Sequence, residues 1–135
     1  MVKLQGHDGY YSREVTVQGT LFRIRELPDN TFQAFLAASK AIGDKIGDLS
    51  RDPMTSSIDD LPPETVVAVI KARREAVDIV MRDGVVGWNI PEVECSPETS
   101  VLLPTQVKLS LLNAILADTV LQPEEAAFSS RSVGT

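Results

Sequence analysis

The side chains best suited to catalysis or metal binding are few in this chain and lie far apart. His7 is its only histidine and Cys95 its only cysteine, so pairs in which an imidazole activates a thiol or a hydroxyl are scarcely available. Metal ligands come in clusters, and His7 has no second histidine near it. Cys95 lies between Glu94 and Glu98, whose charges raise the pKa of a thiol and so disfavour a nucleophile. These residues predict neither a catalytic centre nor a bound metal.

An acidic linker offers the nearest approach to a metal-binding motif. Asp48, Ser50 and Asp52 alternate along it, and Asp59 follows eleven residues after Asp48. A calcium loop needs a glycine where this chain has Pro53, and a glutamate as its last ligand. We therefore interpret the linker as a solvated loop. Since no P-loop, Gly-x-Ser-x-Gly or His-Glu-x-x-His motif occurs either, we expect a protein without enzymatic activity, metal or cofactor.

The composition is that of one small globular domain. The 135 residues are 43% hydrophobic and 24% charged, which allows a modest core. The net charge is −6, whereas proteins that bind nucleic acid usually carry a basic stripe. No apolar run is long enough to span a bilayer, there is no secretory signal, and a single cysteine fits a reducing compartment. We expect a cytoplasmic protein that binds neither nucleic acid nor membranes.

Hydrophobic periodicity predicts a mainly α fold, a small helical domain with an N-terminal β-hairpin (α+β). The hairpin turns at Gln18-Gly19, because a glycine there suits a two-residue turn. This turn places Val15 opposite Phe22. The chain divides into an N-terminal arm (1–12), a helical domain (13–122) that contains the hairpin (13–26) and a flexible loop (47–61), and an acidic segment with a flexible tail (123–135).

The longest periodic stretch runs from Pro62 to Trp88. Prolines suit the first turn of a helix, and the apolar side chains that follow form one stripe. That stripe contains Val66, Val69, Ile70, Val77, Val80 and Met81, and Gly84 and Trp88 extend it if the helix runs on. Arg73 lies inside the stripe. Either its stem packs there while the guanidinium reaches water, or it contacts a carboxylate of a partner.

A second strong helix opens at Pro104 and ends near Val120. It is apolar nearly all round: Val107, Leu111 and Ala114 lie on one side and Leu109, Leu112 and Leu116 on the other. Such a helix must be buried nearly all round. Either it is the central core element, or its second face binds a partner or another copy of the chain.

Several of these features occur in a characteristic order. They are the hairpin at 15–27, the long helix closing on Val85-Val86-Gly87-Trp88-Asn89, a proline-interrupted acidic loop, the leucine-rich segment 103–121 and an acidic end at 122–126. In this order the chain resembles the tail assembly chaperones of long-tailed, siphovirus-like bacteriophages. The resemblance covers most of the chain, from about residue 13 to 127.

The resemblance implies a mainly helical, non-catalytic protein of the host cytoplasm. Such chaperones coat the tape-measure protein during tail morphogenesis, keep its long apolar helices from aggregating and help to recruit tail-tube subunits. Two alternatives stay open: a structural virion protein, such as a head–tail connector or tail-completion protein, and a small metabolic enzyme or its regulator. Formation of a homo-oligomer also stays open.

Partner-binding residues are predicted at three places. A client that is a long amphipathic helix needs exposed aliphatic grooves on its chaperone. The end of the long helix supplies Val85, Val86 and Trp88, and the last helix supplies Leu109, Leu112 and Leu116. Arg73 is the third candidate. No cofactor-binding residue is predicted.

Overall fold

The computed structural model describes residues 12–120, which form three strands and four helices. The strands are β1 (Ser12–Val17), β2 (Thr20–Arg25) and β3 (Val85–Trp88), and the helices are α1 (Asp29–Ile46), α2 (Pro63–Gly84), α3 (Pro97–Ser100) and α4 (Thr105–Val120). Helices account for 55% of the described residues, and the strands form one antiparallel sheet in the order β1-β2-β3. The prediction of a small α+β domain is confirmed, whereas the predicted mainly α character holds only in part, because a third strand joins the predicted hairpin. Apart from Ser12, which begins β1, the predicted arm (1–12) lies outside the described residues, as does the predicted acidic tail (123–135).

The hairpin forms in the predicted register. Val15 lies opposite Phe22, and Val17 lies opposite Thr20. Gln18 and Gly19 both have positive φ, of 51° and 83°, which is the type I′ turn that matches the twist of the two strands. The pattern of a glycine turn between alternating apolar residues was therefore enough to fix this part of the sheet.

The stretch from Val85 to Trp88 is a strand rather than the last turn of the long helix. α2 ends at Gly84, and β3 follows at once and pairs with β2. Phe22 lies opposite Trp88, and the two rings meet edge to face with their centres 6.1 Å apart. Cross-strand packing of this kind stabilises a strand where local periodicity also allows a helix.

α2 is the helix around which the core is built. α1 and α4 both pack against it, and α4 also contacts β2. The fully buried side chains come from all of these elements: Phe22, Ile24, Ile42, Val69, Val80, Met81, Leu111 and Ile115. The core is mainly aliphatic, as the scarcity of aromatic residues predicts.

The segment 47–61 contains no helix or strand but makes defined contacts. Ile58 is buried against the core, and the Arg51 guanidinium binds the Asp60 carboxylate at 2.6 Å. α2 is preceded by Pro62 and has no side-chain cap. The predicted flexibility of this segment stays a prediction, but its course across the helices is set by these contacts.

Candidate partner-binding site

An open groove lies between α2, α4 and the 47–61 loop. Its volume is about 460 Å³. The residues that line it come from three separate segments: Met54 from the loop, Ile70, Arg73, Arg74 and Val77 from α2, and Thr105, Lys108 and Leu109 from α4. We call it the α2/α4 groove.

Apolar side chains form the floor of the α2/α4 groove. Ile70 and Leu109 keep 40% and 42% of their surfaces exposed, while Val77 lies beneath them in the core. Met54 is half-buried and closes the side formed by the loop. The groove floor is therefore aliphatic surface exposed to water, and an apolar side chain of a partner could displace that water.

Arg73 holds the loop against α2. Its Nε donates a hydrogen bond to the carbonyl oxygen of Pro53 at 2.7 Å, and its Nη2 donates to that of Ser56 at 2.9 Å. Burial lowers the pKa of this guanidinium, because a charged group loses solvation as water is excluded. The stem packs as one interpretation of the sequence predicts, but the head binds main-chain oxygens of its own chain. A contact with a partner's carboxylate stays a prediction.

The rim of the groove is positively charged although the chain as a whole is acidic. Arg73, Arg74 and Lys108 line it, and none of the described lining residues is acidic. Lys108 is partly neutralised, since its Nζ lies 2.9 Å from a carboxylate oxygen of Asp78 and also donates to the carbonyl oxygen of Val101. Arg74 is exposed. The groove thus combines an apolar floor with cations beside it.

The structure separates the three predicted leucines of the last helix. Leu109 is exposed in the groove, Leu112 is only 5% exposed, and Leu116 is half-buried against the core. Leu112 therefore belongs to the core of this chain, whereas Leu109 leaves part of its surface exposed. Binding of a partner or another copy of the chain by this helix stays a prediction.

The residues predicted at the end of the long helix lie elsewhere, on β3. Val85 is buried, Val86 is exposed, and Trp88 is half-buried with its Nε1 donating to the carbonyl oxygen of Val93 at 2.8 Å. Trp88 also lines a smaller depression of about 230 Å³ with Leu21 and Arg23. This depression shares no lining residue with the α2/α4 groove, so the structure brings only Arg73 and Leu109 together.

Sequence reasoning missed several groove residues. Ile70 belongs to the predicted apolar stripe but is not among the predicted partner-binding residues, and neither is Lys108. The position of Met54 in the groove could not be predicted, since a methionine in a polar loop does not indicate which helices the loop contacts. The spacing of Ile70, Arg73, Arg74 and Val77 is the one pattern that could have indicated a shared helical face.

Cys95 and Asp48 each contact other groups of this chain. Burial raises the pKa of the Cys95 thiol, so burial rather than the flanking glutamates is the cause. The Asp48 carboxylate accepts hydrogen bonds from the backbone and hydroxyl of Ser50, which lower its pKa. Residues 12–120 contain no group of three or more His, Cys, Asp or Glu side chains arranged to hold a metal. His7 lies outside them.

Among the helices described, none has the length and apolar composition needed to cross a bilayer. Comparison of the chain with models of protein families, with characterised proteins and with solved structures gave no match.

Proposed function

We propose that the chain is a non-catalytic tail assembly chaperone of a long-tailed bacteriophage, acting in the host cytoplasm. In this proposal the α2/α4 groove receives an amphipathic helix of the tape-measure protein. The observation that carries the proposal is the exposed apolar floor of the groove, at Ile70 and Leu109. Hydrophobic grooves between helices are a recurrent site for the apolar face of a partner helix.

The spacing of the lining residues supports a helical client. On α2 they stand at Ile70, Arg73, Arg74 and Val77, and on α4 at Thr105, Lys108 and Leu109, which are the offsets of one helical face. Two neighbouring ridges of this kind leave a groove into which the side-chain ridge of a third helix can pack. A groove of this form favours a helix over a compact small molecule.

Charge narrows the choice of client helix. The net charge of −6 keeps a protein made in many copies soluble and suits a client that is basic overall. The groove lining is locally positive, so the segment that enters it should carry carboxylates beside its apolar face. The recruitment of tail-tube subunits is part of the proposal and rests on the resemblance alone.

Co-expression tests the proposal. The chain is produced together with the tape-measure protein of the same gene cluster, and a soluble complex that co-purifies is expected. The double variant Ile70→Asp/Leu109→Asp should leave the circular dichroism spectrum unchanged and abolish co-purification, because charges in the groove floor lose solvation when a client covers them.

A matched control comes from α1. Leu36 is 43% exposed, close to the exposure of Ile70 and Leu109, but it does not line the groove. Leu36→Asp should therefore keep the complex. A tape-measure protein that aggregates equally with and without the wild-type chain would count against the proposal, and an equal loss in all the variants would show that the groove is not the site.

A structural virion protein is the second candidate. The outer edge of β1 has no neighbouring strand among residues 12–120, and an open edge suits assembly with other subunits. Mass spectrometry of purified particles separates the two functions. Abundant recovery of the chain from particles favours the structural protein, and its absence from them favours the chaperone.

A further inference from the structure

The two edges of the sheet differ in how they are covered. Beside β3 the chain folds back: the Trp88 indole binds the Val93 carbonyl, and the Cys95 sulfur lies 3.8 Å from the Val85 carbonyl oxygen. Among residues 12–120 nothing covers β1 in this way. Because the strands are ordered β1-β2-β3, its outer side is an unpaired strand edge within this part of the chain, and such an edge is a ready template for another strand.

The turn determines which main-chain groups face outward from β1. A two-residue turn makes Val17 and Thr20 a hydrogen-bonded pair, and such pairs alternate along the ladder. The N–H and C=O groups of Glu14 and Thr16 therefore point away from β2. The same alternation directs Leu21 toward the β3 side, where its N–H and C=O bind Asn89 at 3.1 and 3.2 Å.

β1 has few of the features that commonly protect an edge. The segment Ser12–Val17 contains no proline or lysine, and it pairs with β2 without a bulge. Its one charge on the core-facing side, Arg13, is bound to Asp118 at 2.7 Å. Its exposed face carries one charge, Glu14, which Arg23 already neutralises at 2.9 Å. Val15 and Val17, on the other face, are only partly buried although they pack against the core. The edge therefore offers both main-chain groups and incompletely covered apolar surface.

We propose that a second copy of this chain adds its β1 antiparallel to this edge, so that two three-stranded sheets become one. A two-fold axis at Val15 pairs residues 13–17 of the two copies and sets Glu14 against Thr16 of the partner. Glu14 and Thr16 then exchange main-chain hydrogen bonds, and the two Val15 side chains meet at the axis. The proposal is independent of the proposed function.

Charge selects this register over its neighbours. Moving the axis to Glu14 sets two glutamates directly opposite each other, which is destabilising. Moving the axis to Thr16 shortens the overlap, because residue 14 would then lie opposite Gln18 in the turn. The axis at Val15 avoids both penalties and sets the Glu14 carboxylate of one copy opposite the Thr16 hydroxyl of the other. A strand that is complementary to itself in this way favours a second copy over an unrelated chain.

Sedimentation of the full chain over a range of concentrations tests the dimer. We expect a reversible monomer–dimer equilibrium that Thr16→Pro weakens about tenfold or more, because proline removes one outward N–H. Proline is tolerated in edge strands, and an unchanged circular dichroism spectrum would verify the fold. Thr16→Ser keeps the N–H and should dimerise as the wild type does. The proposal would be overturned by a protein that stays monomeric at every concentration, or by a dimer whose dissociation constant is unchanged in Thr16→Pro.

Cysteine cross-linking tests the register. In a Cys95→Ala background, Val15→Cys should give a disulfide-linked dimer, because opposed residues that lack hydrogen bonds to each other bring their Cα atoms to about 4.5 Å. Thr16→Cys should remain uncross-linked, since it faces Glu14 of the partner. Cross-linking of Thr16→Cys but not Val15→Cys would refute the proposed axis. A dimer in which neither variant forms the cross-link would place the interface elsewhere.

Discussion

The α2/α4 groove and the outer edge of β1, the two proposed binding surfaces, are built from different parts of the chain. The groove is built from side chains of α2, α4 and the loop around Met54, which meet only after the domain has folded. The edge is built from main-chain groups of one six-residue strand. Recognition by side chains depends on their shape and charge, whereas strand addition depends mainly on backbone hydrogen bonds.

This difference teaches where each surface is vulnerable. A substitution in the core can destroy the groove at a distance, because the position of α4 on α2 sets its width. The edge is set by the turn at Gln18-Gly19 and the pairing of β1 with β2, and changes within the helices should affect it less. Variants that disturb one surface and not the other therefore test the comparison.

The largest effect is expected from Leu112→Ala. Leu112 is 5% exposed, and removing a buried leucine side chain typically costs about 2–5 kcal/mol. Urea denaturation should show this loss in the free energy of unfolding, together with weaker client binding. The matched change Leu109→Ala removes the same atoms from a side chain that is 42% exposed, and its cost should be well below that of Leu112→Ala. Equal costs would show that Leu112 is not a core residue.

The sequence predicted the hairpin well because all of its determinants are local. The Gln18-Gly19 turn and the alternation of Val15, Val17 and Phe22 lie within a few residues of one another, so the register follows from turn geometry. The helices were also indicated by periodicity. Periodicity did not indicate that Val85–Trp88 forms the strand β3, because a four-residue apolar run fits a strand and a helix end equally well. The pairing that decides it joins Phe22 to Trp88, which lie far apart in the sequence.

The candidate site was predicted only in part for a related reason. A helical wheel shows that Arg73 breaks an apolar stripe, but it cannot show that the carbonyl groups of Pro53 and Ser56 lie above it. In the same way it sets Leu109 beside Leu112 without showing that one is exposed and the other buried. These outcomes depend on where the loop and α2 lie in space, and periodicity carries no information about that.

A smaller effect is expected from Arg73→Met. Methionine can fill the space of the arginine stem but loses the hydrogen bonds to the loop carbonyls, which for a charged donor are worth about 1.5–3 kcal/mol. Limited proteolysis should then cut the 47–61 loop faster. Client binding should weaken, because the loop side of the groove, which contains Met54, is no longer held in place. Dimerisation through β1 should be unchanged.

Arg73→Lys is the matched control for charge. Lysine keeps the positive charge but lacks the fork that reaches two acceptors at once. If the loop of Arg73→Lys is cut as fast as that of Arg73→Met, the arginine acts by anchoring the loop. Wild-type resistance of Arg73→Lys would instead show that the charge alone suffices, which is the behaviour expected of a contact with a carboxylate.

The smallest effect is expected from Gly84→Ala, at the junction where α2 passes into β3. A Cβ there would lie 2.7 Å from Cδ1 and 3.0 Å from Cγ2 of Ile115, which is fully buried. Overpacking costs about 1–3 kcal/mol, whereas replacing glycine in a helix gains up to about 1 kcal/mol, so a net loss of about 1 kcal/mol is expected. Ile115→Val removes the closest atom.

The double variant Gly84→Ala/Ile115→Val decides whether this contact sets the spacing of α2 and α4. Its free energy of unfolding should fall by less than the sum of the two single losses, because valine makes room for the new methyl group. Strict additivity would show that the helices are kept apart by other contacts. Gly84 is the last residue of α2 and directly precedes β3, so client binding and dimerisation should be measured on the same variants. A loss confined to client binding would establish that the groove and the edge respond separately even at the residue where helix and sheet meet.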